Sequence, residues 1–106
     1  MALLDKLRVE LDRAGKSAQR AFDEGRLRLD LYRARQSADK FAQRFGYAVF
    51  RARRAASDLP PEEYAGHINN IAAAEAEITR LQTLVDQASQ QRKDALDLTK
   101  PRPSTP

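Results

Sequence analysis

One run of residues constrains the fold more than any other. Leu27, Leu31, Ala34, Ala38, Phe41, Phe45, Ala48, Ala52 and Ala55 follow one another at alternating steps of four and three, without a miss. That spacing brings all of them to one face of an α-helix, and repeated over this length it is the seam of a coiled-coil-like pair. A single helix cannot bury such a stripe on itself, so the chain must supply or recruit another helix to cover it.

A second series lies upstream. Leu4, Leu7, Leu11, Ala14, Ala18 and Ala21 step by three and four, with Leu3 and Phe22 flanking them. Gly15 inside this stretch weakens the helix by about 1 kcal/mol relative to Ala. The two series do not share a phase, because Ala21 to Leu27 is six residues where seven would keep register. On a continuous helix the stripe therefore turns by about 100° near Asp23-Glu24-Gly25. A continuous or mildly kinked helix over residues 2–56 accounts for both series, with Gly25 as the place for any kink.

Ser57-Asp58-Leu59-Pro60-Pro61-Glu62-Glu63 marks the boundary. Residues that precede proline avoid the helical region, so the first helix stops by about Asp58 and the turn occupies 57–60. Proline suits the first turn of a helix, and acids there favour the helix dipole. A second helix over 61–97 then carries Tyr64, Ile68, Ile71, Ile78, Leu81, Val85, Ala88 and Ala95, with Glu75 falling on the seam between Ile71 and Ile78. Small residues (Ala34, Ala38, Ala42 and Gly46 on one helix; Ala72, Ala73, Ala74 and Ala76 on the other) thin the surfaces for close packing. Three prolines in the last seven residues make 99–106 a disordered tail. No β signal occurs. The fold class is all-α: an antiparallel helical hairpin over 1–98.

The two helices differ in length. The first would run about 80 Å and the second about 55 Å, so the second reaches back only to residues 18–22. Leu3, Leu4, Leu7 and Leu11 are left without intramolecular cover, and an exposed leucine stripe is a candidate partner interface. Self-association ranks first as its cover. Folding back near Gly25 into a three-helix bundle ranks second. Lying on a membrane surface, with Lys6, Arg8, Arg13, Lys16 and Arg20 toward anionic lipid, ranks third because Asp5, Glu10 and Asp12 interrupt that basic face.

Composition narrows the chemistry. Without cysteine there is no disulfide framework, thiolate zinc site or cysteine nucleophile. Asp5 comes too early for a secretory signal and no run is long enough to span a membrane, so a cytoplasmic protein is expected. The net charge of +4 conceals an asymmetry, +7 over residues 1–56 against −3 over 57–106. The simplest use of that asymmetry is mutual attraction of the two helices. Outward presentation of the basic side to an anionic partner is the other.

His67 is the only histidine and has no ligand-spaced companion. Glu62 and Glu63 are explained as helix-start acids, and the four glycines are isolated. No cofactor, metal site, catalytic residue or small-molecule substrate is expected. Arg51, Arg53 and Arg54 are the candidate anion contacts, preceded by Arg26, Arg28, Arg33 and Arg35. Asp30 and Asp39, at helical spacing from Arg26, Arg33 and Arg35, offer these arginines internal partners instead. Phe41 and Phe45 fall on the seam. Tyr47 and Phe50 lie off it, three apart, either against the flank of the second helix near Tyr64 or as an exposed patch. Pro103 and Pro106 fit a proline-groove ligand spacing.

Phe45-Gly46-Tyr47-Ala48-Val49-Phe50, the polar proline turn and the Ile68, Ile71, Ile78, Leu81 helix resemble the helical part of small bacterial zinc-ribbon-containing proteins, over about residues 27–90. In those proteins a helical hairpin precedes a cysteine ribbon. This chain has no cysteine, so the resemblance implies the hairpin and no metal. The expected function is that of a non-enzymatic interaction or scaffold protein that self-associates or docks on a protein partner through its N-terminal amphipathic helix. The alternative is a peripheral binder of anionic surfaces, nucleic acid or membrane lipid, through the arginine-rich first helix.

Overall fold

The structure, a computed structural model, describes residues 2–99 of the chain. They form two α-helices, α1 over Ala2–Arg54 and α2 over Pro61–Thr99, packed against each other as a hairpin. The helix α1 passes through Gly25 without a break, and Gly25 keeps a negative φ. Its 53 residues rise about 80 Å at 1.5 Å each, and the molecule is 81 Å long. The three-helix fold-back is therefore not adopted. A radius of gyration of 23.8 Å, where a 100-residue globule has about 13 Å, describes the same elongation.

The turn begins two residues earlier than the sequence suggests. Ala56 takes a left-handed φ of 54°. The Ser57 amide donates to the Ala52 carbonyl and the Ala56 amide to the Arg53 carbonyl, both at 2.9 Å. That pair of bonds is a Schellman cap, which satisfies the last carbonyls of α1 and turns the chain away. Alanine stands where glycine is usual, so no local sequence signal announced this stop. At the other side of the turn Pro60 accepts the first helical bond of α2, from the Tyr64 amide at 2.9 Å. Pro61 then sits at the first helical position, where its missing N–H costs nothing, and Glu62 and Glu63 lie at the positive end of the helix dipole. The helix α2 runs to Thr99, two residues beyond the expected 97. The expected proline-rich tail, including Pro103 and Pro106, lies from Lys100 onward outside the described residues.

The seam of α1 follows the expected series from Leu27 to Ala52, while Ala55 has left the helix and is exposed. On α2 the covered series is His67, Ile71, Ala74, Ile78, Leu81, Val85, Ala88 and Ala95, with Gln82, Leu84 and Ser89 half-buried at its edges. They keep the three-four rhythm but start from His67, leaving Tyr64 and Ile68 half in water. Glu75 is exposed, and Ala74 holds the seam place expected of it. This choice avoids burying a carboxylate between apolar neighbours. The tightest packing joins Leu31 to Leu81 and Val85, with Leu27, Ala34, Ile78 and Leu84 around them. Each fully buried side chain of this size stabilises by about 1.5–3 kcal/mol. Nearer the turn, Phe45 meets the Tyr64 ring edge-on at 5.3 Å and the His67 ring at 5.5 Å. Of the α1 small-residue edge, Ala34 and Ala38 face α2, whereas Ala42 and Gly46 are exposed and open space surrounds Gly46.

Candidate interaction surface of the first helix

The end of the pairing is a clamp at Glu24. Its carboxylate is nearly buried, accepts from Arg28 Nη2 through one oxygen at 3.0 Å, and forms an ion pair with Arg92 Nε through the other at 3.0 Å. Every residue of α1 before Glu24 is exposed. Leu3, Leu4, Leu7 and Leu11, expected to form a partner interface, all lie on this overhang, Leu3 at 76% and Leu11 at 70% exposure. At 100° per residue Leu4, Leu7 and Leu11 share one side with Ala18 and Phe22, Leu3 borders it, and Val9 points the opposite way. Asp5, Lys6, Val9, Glu10 and Arg13 line a shallow open cleft on that opposite side. The overhang is thus amphipathic, with its charged side mixed in sign.

The charge asymmetry of the two halves is not spent on their pairing. Among the described residues the ion pair joining the two helices is Glu24–Arg92, an acid of the basic half with a base of the acidic half. The other contact between them from an α1 arginine is neutral, Arg35 Nη2 donating to Gln82 Oε1 at 2.8 Å. The pairs suggested by spacing, Asp30 with Arg26 or Arg33 and Asp39 with Arg35, do not form. Asp30 is half-buried beside α2, where its charge is felt by Arg80, while Arg26 and Arg33 project outward. Arg80 itself is raised first by its hydrogen bond to Glu77, which lowers Glu77 in turn.

The three candidate anion contacts part ways. Arg53 turns sideways to Asp58 of the turn, Nη1 to Oδ1 at 3.8 Å. Arg51 lies over the Tyr47 ring at 5.7 Å, and Arg54 closes α1, exposed. What sequence reasoning missed is that several of the residues it named, with Leu29, Gln36, Lys40 and Gln43, form one line on the side of α1 turned away from α2. From Phe22, steps of three and four reach Arg26, Leu29, Arg33, Gln36, Lys40, Gln43, Tyr47, Phe50 and Arg54, all exposed. Continued toward the N-terminus on a straight helix, the same line meets Ala18, Leu11, Leu7 and Leu4. None of these line residues is an acid, although α1 carries Asp5, Glu10, Asp12, Asp23, Glu24, Asp30 and Asp39, and exposed Asp39 borders the line. A search for apolar periodicity alone could not find it, because cations alternate with apolar residues beyond Phe22. Tallying charge by face instead of by half would have done so.

Beside this line, Lys40, Arg44, Tyr47, Arg51 and His67 share a shallow groove with Gln43 and Ala48, again without an acid. Arg44 lies over Phe41 at 5.7 Å. Among the described residues no cluster of three metal-ligating side chains occurs, and no helix is long and apolar enough to cross a membrane. Comparison with protein-family models, curated proteins and solved structures finds no match to this chain.

Proposed function

We propose that this chain is a non-enzymatic helical-hairpin interaction protein that makes its principal contact through the N-terminal overhang of α1, by self-association or by docking on a partner. One observation carries the reading: Leu4, Leu7, Leu11 and Phe22 stand exposed together on one side of α1, the side turned away from α2. Apolar surface gathered in one stripe is stabilised by leaving water, at roughly 25 cal/mol for each Å² removed. The remainder of the hairpin gives the stripe a rigid, directed mount. Light scattering on the intact chain and on the triple variant Leu4→Glu/Leu7→Glu/Leu11→Glu tests self-association. A mass above the monomer that falls to the monomer in the variant is expected where the partner is a second copy. An intact chain that is monomeric, binds no other surface and is unaltered in stability by the triple substitution would sink the reading.

A further inference from the structure

We infer that the partner of the overhang is an anionic lipid surface, along which α1 lies lengthwise on its outer line of apolar and basic residues, with Asp39 at the border of that line; this rests on the overhang being a contact surface at all. The line has two chemistries in series. Leu4, Leu7, Leu11 and Phe22 make its first part apolar, and Arg26, Arg33 and Lys40 then alternate with Leu29 and Tyr47. The cations on it have no carboxylate partner among the described ion pairs. The groove at its flank adds Arg44, Arg51 and His67 around one open space.

The order of these chemistries selects the occupant. Two copies stacked antiparallel over the whole line would set Arg26 of one against Arg33 of the other at mid-line, with Leu7 and Leu11 against Phe50 and Tyr47. Stacked parallel, cations would face cations. A second copy can therefore cover the ends of the line but not its basic middle. A nucleic acid would neutralise the cations and leave the leucines in water. A membrane interface takes apolar side chains at the acyl boundary and Lys and Arg at anionic head groups, on one plane. A plane also suits the 81 Å length of the molecule, because the line keeps to one side of a straight α1.

The test is sedimentation with sucrose-loaded vesicles, of phosphatidylcholine alone or mixed with phosphatidylserine, over a salt series. Binding is expected to the mixed vesicles, at least tenfold above the neutral ones, weakening as salt rises. Each cation near the surface contributes about fivefold, so Arg33→Gln/Lys40→Gln/Arg44→Gln should cost about a hundredfold. Lys6→Gln/Arg13→Gln/Lys16→Gln removes the same charge from the other side of α1 and should cost only a few-fold. Leu4→Ser/Leu7→Ser/Leu11→Ser holds the charge and should also abolish retention; far-UV circular dichroism checks that each variant keeps the hairpin. Equal losses in the two charge variants would overturn the inference, since net charge alone would then explain binding. A dimer that the leucine variant dissociates, with no vesicle binding, overturns the lipid and leaves the overhang as an interface. Tighter binding to duplex DNA than to vesicles, indifferent to the leucines, overturns it in favour of nucleic acid. A monomer that binds neither and ignores the leucine changes overturns both this inference and the reading beneath it.

Discussion

Ala56 holds a left-handed conformation that costs an L-residue roughly 1–2 kcal/mol, and the hairpin turn depends on it. Glycine relieves that strain but has more freedom to lose on folding. Ala56→Gly is expected to stabilise the hairpin by about 0.5–1 kcal/mol, read as a higher urea midpoint. A lower midpoint would mean that the turn is held otherwise. Glu24 has the opposite character: a nearly buried carboxylate that joins Arg28 of its own helix to Arg92 of α2. Both arginines are half in water, which screens the pairs, so Glu24→Gln should destabilise by only about 1 kcal/mol. Its more specific effect is local. Amides near Glu24 and Arg92 should exchange faster with deuterium while those around Leu31 and Leu81 do not. Uniform acceleration would contradict its role as a terminal clamp.

At the scale of the elements, the hairpin was legible because the seam from Leu27 to Ala52 repeats without interruption and the Pro60-Pro61 pair punctuates it. The phase of α2 was harder to read. Ile68 and Glu75 fit an approximate apolar register, and only the choice of Ala74 over Glu75 keeps a carboxylate out of the seam. The cap at Ala56 was illegible, since its signal resides in hydrogen bonds and not in residue type. The outer line was missed because apolar series were sought separately on either side of Gly25. Gly25 also invited a kink that α1 does not need. A methyl group there meets open space, so Gly25→Ala should stabilise by about 0.5–1 kcal/mol and leave binding unaltered. A loss of stability would instead reveal a bend. Leu81→Ala, at the tightest packing, should cost about 3 kcal/mol, whereas Leu29→Ala on the outer line should change stability little. Comparable costs would mean that the outer line is covered within the chain.

At the scale of the molecule, the longer α1 does two jobs at once. One side of it holds α2, and the other, with its line of apolar and basic residues from Leu4 to Arg54, stays in water. The +7 and −3 of the two halves suit either mutual attraction or outward presentation of the basic side. The described ion pairs favour the second, with Glu24–Arg92 as the link between the helices. The central claim is that one side of the overhang is a contact surface and the other is not. The absence of cysteine permits a direct measurement by placing single probes at Leu11→Cys on the apolar side and Val9→Cys opposite, each carrying a fluorescent label. With a water-soluble quencher, titrated over protein concentration and with anionic vesicles, the Leu11 probe should become shielded under at least one condition while the Val9 probe stays accessible. Equal accessibility of the two probes under every condition would contradict the account.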